Sequence, residues 1–436
     1  MAGTLSSTDR EMVAELARRV SEALTSQRLR LLDDSGEAID EEDFARRIAG
    51  AEIMRMRSVA DGRDRSFTNL DDTELTHSAL EQVFGLGRLQ PLLNDPSISD
   101  IHVRGSASVW VKRRDGSREI LDPIVDTDQE LVDLIRHIAT RHTNYERRFD
   151  SANPELNIQL VDGSRVFATM EVSMRPSLIV RRHSFDIATL DELLDRGFMS
   201  TSVAAFLVGV VRARSNLVIA GGTGSGKTTL LRALINEVPA NERIVTIEDA
   251  YELGIERFED LHPDYDSLQA RPANTEGLGE ISLAQLTRMA LRMDPDRVIV
   301  GEVRGGEAFP MLMAMSQGNN GSMCTLHADS ARSVFPKLAA YVSMASTGLP
   351  VDTVNLLLAS SIHFVIHIQT MDCARRITSI HEVIDADGIT IASNEIFAIN
   401  TAGVLAPAFP IRSDTMGRLM AVGFDPGHVR IGSVVR

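Results

Sequence analysis

The stretch Gly221 to Thr228, which reads GGTGSGKT, constrains this chain more than any other feature of its sequence. It matches the phosphate-loop pattern G-x-x-x-x-G-K-[ST] at every fixed position. An apolar run, 216–220, precedes the motif and a helix-favouring run, 229–234, follows it, which is the strand–loop–helix setting that the motif requires. The pattern predicts a parallel α/β domain that binds the phosphates of a nucleotide.

Each part of this loop has a predicted task. The glycines let backbone N–H groups point inward at phosphate oxygens, and the following helix contributes its positive end. Lys227 is predicted to lie between the β- and γ-phosphates, and the Thr228 hydroxyl to bind Mg²⁺. The predicted nucleotide-binding residues of the loop are Gly222, Thr223, Gly224, Ser225, Gly226, Lys227, Thr228 and Thr229.

Two apolar runs downstream of the loop end in acidic residues. RIVTIED ends at Glu248 and Asp249, and RVIVGE ends at Glu302. Because the carboxyl ends of parallel strands open onto one edge of a sheet, these acids should converge on the phosphate loop. We expect Glu248 and Glu302 to be catalytic, either one orienting the attacking water, and Asp249 and Glu302 to hold Mg²⁺. A turn-capping role is the alternative for Asp249.

A third candidate lies in GNNGSMCTLHADS, residues 318–330, which is typical of a Gly-rich turn followed by a short strand ending at His327. At that edge His327 is a candidate sensor of the γ-phosphate, and an ordinary core or surface histidine is the alternative. Cys324 is expected to be a small buried hydrophobe. With only Cys324 and Cys373, the chain fits a reducing cytoplasm.

Composition narrows the class of protein further. The 436 residues carry 45 basic and 61 acidic side chains, a net charge of −16, which argues against a general or stable affinity for nucleic acid but is compatible with a local basic groove. The longest apolar run, Val203 to Val211, is about half of the ~20 residues that cross a bilayer. Since MAGTLSSTDR does not resemble a signal peptide, we expect a cytoplasmic protein that reaches a membrane only through a partner.

Changes in composition and in hydrophobic pattern along the sequence predict three regions. Residues 1–79 should be a helical N-terminal extension, with an acidic linker at 33–42, a hinge at 61–72, and a role as an exposed appendage or a docking arm. Residues 80–184 should form a small α+β domain with hairpin turns at Asp115-Gly116 and Asp162-Gly163. Residues 185–436 should form the parallel α/β domain.

Together, GGTGSGKTT, RIVTIEDAYEL, RVIVGEVRGGEA and GSMCTLHADS resemble the secretion-superfamily traffic ATPases, above all the CpaF class that powers tight-adherence pili. FGLGRLQPLLNDPSISDIHV, LVDGSRV and RRITSIHEV are also similar, so the resemblance covers about residues 80 to 400. It implies a RecA-like ATPase domain that uses ATP and Mg²⁺, a cytoplasmic hexamer, and an inner-membrane platform protein as partner. In similar proteins Glu248 lies in the Asp box, Glu302 in the Walker B box and His327 in the His box.

The resemblance further implies that arginines of the N-terminal domain contact the nucleotide phosphates. Arg165 of DGSRV matches one of them and Arg181 of IVRRH another, with Arg182 as the adjacent candidate. A loose phosphoryl transition state needs such charge, and an arginine finger contributes ~10³ to 10⁵ in rate. A surface turn arginine is the alternative interpretation of Arg165.

Two stretches depart from the family pattern. GNNG at 318–321 stands where the family often has GHDG, and NIQL at 157–160 where it often has DARL, so a first histidine and one arginine are absent. Three hypotheses therefore remain: an ATPase motor of a pilus or secretion filament, a nucleotide-binding ring with little turnover, and a conjugation-type type IV secretion ATPase.

Overall fold

The computed structural model describes residues 7–31, 41–61, 68, 70–84, 86–141, 148–160, 162–182, 189–274, 277–371, 374–401 and 403–430. The chain divides into two compact units, Met1–His183 and Ser184–Arg436. Most of the predicted linker at 33–42 and hinge at 61–72, together with Cys373, lies outside the described residues. Among the helices that are described, none combines the length and apolar character needed to cross a bilayer.

Three helices open the first unit: α1 (Ser7–Leu31), α2 (Glu41–Asp61) and α3 (Asp72–Phe84). All three contribute side chains to one apolar core. The buried positions of α1 recur at helical spacing and are Val13, Leu16, Ala17, Val20 and Leu24. The sequence predicted the first two helices but not α3, and the boundary expected after residue 79 falls inside α3.

The rest of the first unit is a six-stranded antiparallel sheet with a helix packed on one face. Its elements are α4 (Gln90–Asn94), β1 (Ile98–Arg104), β2 (Val109–Arg113), β3 (Arg118–Leu121), α5 (Asp128–Arg141), β4 (Glu155–Gln159), β5 (Arg165–Thr169) and β6 (Ser177–Arg181). The strand order is β3-β2-β1-β6-β5-β4. Alternate residues face a core shared with α5, and the two predicted Asp-Gly turns join β2 to β3 and β4 to β5, which confirms the small α+β unit.

The second unit alternates strands and helices as predicted. Its elements are α6 (Leu190–Asp195), α7 (Thr201–Arg212), β7 (Leu217–Gly221), α8 (Lys227–Ile235), β8 (Ile244–Glu248), β9 (Tyr265–Gln269), α9 (Leu283–Ala290), β10 (Arg297–Val303), α10 (Ala308–Ser316), β11 (Met323–His327), α11 (Val334–Met344), α12 (Val351–Ser361), β12 (Phe364–Met371), β13 (Ala374–Asp387), β14 (Thr390–Ile399), β15 (Leu405–Pro407) and α13 (Ser413–Ala421).

The strands of the second unit form one nine-stranded sheet in the order β15-β14-β13-β12-β7-β11-β10-β8-β9. The six strands from β12 to β9 are parallel, whereas β13, β14 and β15 extend the sheet antiparallel. Helices α7, α8 and α13 cover one face and α9 to α12 the other. With β11 inserted between β7 and β10, this is the RecA-like arrangement that was expected.

One fully buried charged side chain joins segments at the amino edge of this sheet. The Arg297 guanidinium donates to both oxygens of Glu242, at 2.7 and 3.2 Å, and to the carbonyls of Val211 at 2.9 Å and Gly321 at 3.4 Å. Gly321 has φ +94°, and a Cβ built there would lie 2.6 Å from Arg297 Nη1. A glycine is therefore required at this position by backbone conformation and by the approach of the guanidinium.

Replacing Gly321 by alanine should destabilise the protein by roughly 3 kcal/mol, because the new methyl group displaces Arg297 and leaves the buried Glu242 with only the longer 3.7 Å contact to Arg214. Gly318 is the matched control. It also has a positive φ, +111°, but open space where its Cβ would be. Gly318→Ala should cost only the backbone strain, about 1 kcal/mol. Calorimetric unfolding of both variants measures the difference, and equal losses would contradict this account of Gly321.

Candidate nucleotide-binding site

The predicted phosphate loop connects the carboxyl end of β7 to the first turn of α8. Strand β7 ends at Gly221 and α8 begins at Lys227, with Gly226 as its N-cap residue. Gly226 has φ +100°, and a Cβ there would come within 3.2 Å of the Phe198 ring. The second fixed glycine of the pattern is thus needed for the left-handed turn that starts the helix and for packing against Phe198.

The interior of the loop holds polar groups that suit an anionic ligand. Lys227 is 7% exposed, and its Nζ donates to the carbonyls of Gly221 at 3.2 Å and Gly222 at 2.9 Å. Burial lowers the pKa of Lys227, and the charges of Glu302 and Glu252 act in the opposite direction. The Ser225 hydroxyl is buried and makes no hydrogen bond to the described part of the protein. A buried ammonium beside an unsatisfied donor fits phosphate oxygens.

His327 lies next to the lysine because β11 pairs in parallel with β7, which places His327 opposite Gly221. Its Nδ1 is 3.3 Å from Lys227 Nζ, and its Nε2 is 2.7 Å from Glu302 Oε1. The second contact is close but lacks normal hydrogen-bond geometry. Burial and the neighbouring Lys227 charge lower the pKa of His327, so the ring is neutral at pH 7. A neutral ring that accepts from Lys227 at Nδ1 carries its proton on Nε2.

Glu302 lies on β10 and is held from its other side by Arg304. The Arg304 Nε donates to Glu302 Oε2 at 2.8 Å, and its Nη1 donates to Asp249 Oδ2 at 3.3 Å. The same arginine charge lowers the pKa of Lys227. Arg304 therefore connects the two carboxylates that were predicted to hold the metal. The sequence analysis assigned no role to Arg304, although its position two residues after Glu302 placed it at the same edge.

Glu248 behaves differently from Glu302. Its carboxylate is 3% exposed at the end of β8, and Oε1 accepts hydrogen bonds from the backbone N–H groups of Glu252 and Leu253, both at 2.9 Å. Burial raises the pKa of Glu248 to about 8. This carboxyl group therefore organises the turn after β8, and it is protonated over much of the physiological pH range.

Glu252, a further acid of the segment after β8, was not among the residues predicted for the site. It is only partly buried, and its charge acts on both Lys227 and Arg304. The sequence did contain a signal, since Glu252 follows Glu248 by four residues in EDAYEL. Its position at the strand end predicted a catalytic role for Glu248, but this buried carboxyl group holds the turn after β8. The charge of Glu252 acts on Lys227.

A magnesium ion fits the donor set at this edge. Nucleotide-bound Mg²⁺ takes one or two protein oxygens and completes its shell with phosphate and water. Thr228 follows Lys227 in the first turn of α8, and Glu302 lies near Lys227. Across the part of the chain that the structure describes, no group of three or more His, Cys, Asp or Glu could hold a metal on its own. A metal here would depend on the nucleotide for much of its shell.

The three predicted arginines lie together in the sheet of the first unit. Arg165 on β5 is directly opposite Arg181 on β6, and Arg181 Nε donates to Asp100 Oδ1 at 3.2 Å. Arg182 instead turns to the backbone, where its Nη1 donates to the carbonyls of Asp95 and Ile98. These contacts make Arg182 a support for the start of β1, and leave Arg165 and Arg181 on an exposed sheet face.

The structure describes the surroundings of both segments that depart from the family pattern. The GNNG turn precedes β11 at the amino edge of the sheet, opposite the edge that carries the loop, and Gly321 there accepts from Arg297. Its missing histidine therefore has no bearing on groups around Lys227. In the first unit, Gln159 pairs across the sheet with Arg165 and donates to the Gly163 carbonyl at 3.1 Å.

Cys324 is buried within β11, as predicted, and burial raises the pKa of its thiol.

The chain is similar to proteins of secretion systems. The family described as "Type II/IV secretion system protein" matches residues 85–397. The "Putative conjugal transfer protein MT3759" of Mycobacterium tuberculosis (strain CDC 1551 / Oshkosh) is 34% identical over 307 residues, covering 68% of this chain and 83% of that protein. The "Type IV secretion system protein VirB11" of Brucella suis biovar 1 (strain 1330) is 29% identical over 337 residues, covering 70% and 90%.

A solved structure is also similar. The crystal structure of the VirB11 ATPase from the Brucella suis type IV secretion system, in complex with sulphate, shares 28% sequence identity with this chain. The match covers 68% of this chain and 96% of that one, with a TM-score of 0.37.

The buried carboxyl of Glu248 should make stability depend on pH. Its folded-state pKa of about 8 lies above its ordinary value of 4.5, so its contribution is complete below pH 4.5 and is lost as pH rises toward 8. Glu248→Gln keeps an acceptor for both N–H groups and removes the titration. The variant should gain on the wild type by roughly 1 kcal/mol per pH unit between pH 6 and 8.

Urea unfolding at pH 6, 7 and 8 measures this difference. Glu280→Gln, which changes an exposed acid, is the matched control and should show no trend. A Glu248→Gln variant whose stability relative to the wild type does not change with pH would contradict the raised pKa.

Proposed function

Because the chain belongs to the type II/IV secretion system protein family, we propose that it is a motor that couples ATP hydrolysis to the work of such a system. The observation that carries this proposal is the meeting of Lys227, His327 and Glu302 beside the glycine-rich loop. Phosphoryl transfer needs positioned charge more than covalent chemistry, and these groups supply charge at one water-accessible edge.

In the proposed binding step, phosphate oxygens replace the Gly221 and Gly222 carbonyls as the partners of the Lys227 ammonium. The exchange is favourable because a charged acceptor binds an ammonium more strongly than a neutral carbonyl does. Thr228 and Glu302 would hold Mg²⁺, with Asp249 as a further candidate, and the ion would neutralise charge on the phosphates. Neutral His327 carries a proton on Nε2 that it can donate to the γ-phosphate.

We assign the water-activating role to Glu252. Glu248, one of the two predicted candidates, holds a proton and the backbone of the turn, so it is a poor acceptor for a second proton. Glu302, the other candidate, is occupied by Arg304 and His327. Glu252 is close enough to Lys227 for its charge to affect that group, which suits an acid that takes a proton from the attacking water.

The remaining positive charge is proposed to come from Arg165 and Arg181 of the first unit. They are cations on an exposed sheet face, and a phosphoryl transition state stabilised by such a guanidinium gains ~10³ to 10⁵ in rate. Arg182 is not assigned to this role, because its guanidinium already serves two backbone carbonyls.

The assembly and the system are further proposals. We propose a cytoplasmic homohexamer that acts on an inner-membrane platform protein to assemble a tight-adherence pilus. The named relatives favour a second candidate, a type IV secretion ATPase, because they are a VirB11 protein and a putative conjugal transfer protein. Cross-linking in native membranes, followed by identification of the attached protein, separates the two: a pilus platform protein in one case and a secretion channel subunit in the other.

Replacing Lys227 by alanine should reduce ATP hydrolysis at least 100-fold while leaving the fold intact, since the ammonium that meets the phosphates is lost. Phosphate release by the purified protein measures the rate, and circular dichroism checks the fold. Lys112→Ala, which removes a lysine of the first unit, is the matched control and should keep full activity. If the Lys227→Ala protein retained wild-type turnover, the site assignment would be refuted, whereas a wild-type protein without turnover would favour a nucleotide-binding ring.

Three acid-to-amide changes distinguish the roles assigned here. Glu252→Gln should lower kcat by 10²- to 10⁴-fold with nearly unchanged nucleotide affinity, because it removes the proton acceptor. Glu302→Gln should bind ATP and stall, while Glu248→Gln should keep turnover within about 10-fold because a protonated acid is replaced by its neutral isostere. Single-turnover kinetics measures all three, and full activity of Glu252→Gln would return the role to Glu248.

A further inference from the structure

The six-stranded sheet of the first unit has one face that α5 does not cover. Directly paired residues of neighbouring strands point to the same face, so the strand register defines rows that cross the sheet. One row on the open face runs through Ile120, Trp110, His102, Ile179, Phe167 and Asn157. We call this the apolar row.

The side chains of the apolar row are exposed. Ile120 is 56% exposed, Trp110 48%, and Phe167 and Ile179 each 37%. Single exposed apolar residues are ordinary on protein surfaces, but four in one row, interrupted by His102 and followed by Asn157 at the β4 edge, mark an interaction surface.

Cations flank this row on both sides. A second row lies parallel to the first, two residues away along each strand. It consists of Arg118, Lys112, Asp100, Arg181, Arg165 and Gln159, and we call it the basic row. On the other side of the apolar row stands Arg104. Within the residues described, the side chains of Arg104, Lys112 and Arg118 make no hydrogen bond or ion pair, so these three charges around Trp110 and Ile120 are unneutralised.

We propose that the β1–β2–β3 part of this face binds single-stranded nucleic acid. Strands lie ~4.8 Å apart and the two rows ~7 Å apart, so the face offers two parallel tracks, one apolar and one cationic. A single strand carries flat bases and anionic phosphates along separate lines, and exposed aromatics on a sheet stack such bases. Trp110 and His102 provide stacking surfaces, and Lys112 and Arg118 of the basic row meet the phosphates. Arg104 lies on the opposite side of the bases.

This occupant fits the face better than a helix or a membrane does. A partner helix requires a groove, whereas paired side chains on an antiparallel sheet form a flat platform. A membrane-binding surface presents its apolar groups beyond its polar ones, whereas here both rows beside the apolar row carry charged side chains, among them Lys112 on one side and Arg104 and Glu155 on the other. The net charge of −16 opposes general binding of polyanions, so binding depends on this local cluster.

The proposal stands apart from nucleotide hydrolysis. It rests on His102, Trp110 and the three unneutralised cations, whereas the proposed phosphate-contacting residues Arg165 and Arg181 lie on β5 and β6. Changes to Lys112, Arg118 or Trp110 should therefore leave basal ATP hydrolysis within about 2-fold of the wild type.

The chain contains a single tryptophan, so its fluorescence reports on this face alone. Titration of the full chain with a 20-nucleotide oligothymidylate at low salt should quench Trp110 saturably, because a stacked base quenches the indole. Lys112→Ala/Arg118→Ala should weaken binding at least 10-fold and reduce the slope of log K against log salt by about 1.4. Trp110→Leu, followed with a labelled oligonucleotide, should weaken it 5- to 100-fold, while Trp110→Phe should bind nearly as the wild type.

Matched controls decide between stacking and charge alone. Arg288→Ala/Arg292→Ala removes two exposed cations of the second unit and should leave the affinity unchanged. An oligouridylate distinguishes RNA from DNA as the preferred strand. The proposal is overturned if the oligonucleotide fails to quench Trp110, if heparin binds equally well and competes fully, or if the Lys112 and Arg118 changes have no effect. A blue shift with phosphatidylglycerol vesicles but no response to oligonucleotides would identify a membrane surface instead.

Discussion

The parallel pairing of β11 with β7 is the interaction on which the candidate site depends. It places His327 opposite Gly221, where the imidazole reaches both Lys227 and Glu302. Because β11 lies between β7 and β10, Glu302 on β10 and Lys227, which follows β7 at the start of α8, do not come from neighbouring strands. His327 at the end of β11 lies close to both side chains.

The acidic side chains at this edge of the sheet lie in different electrostatic environments. Glu248 is buried, and burial raises its pKa to about 8, whereas Glu302 accepts a hydrogen bond from the Arg304 guanidinium. Residue type alone does not distinguish them, since both are glutamates at the ends of neighbouring strands. Their environments do, because burial disfavours a charge and a nearby arginine favours it.

Much of this architecture is predictable from sequence, for identifiable reasons. The phosphate loop has fixed spacing and a strand–helix context, and both Asp-Gly turns carry strong local signals. The third helix escaped prediction because its buried face includes Leu75 and Ala79 but only a short apolar run. The different burial of Glu248 and Glu252 could not be predicted, because tertiary packing rather than spacing decides which carboxyl group the turn buries.

Because of the Arg297 contacts, the two edges of the large sheet differ in how firmly their charged side chains are held. At the amino edge a buried guanidinium holds the turn before β11, whereas at the carboxyl edge the charged side chains of Arg304 and Glu302 contact each other and are partly exposed. A substitution in the GNNG turn therefore acts on the contacts of Arg297, far along the strand from the groups around Lys227. A departure from a family motif at that turn is thus expected to change the free energy of unfolding.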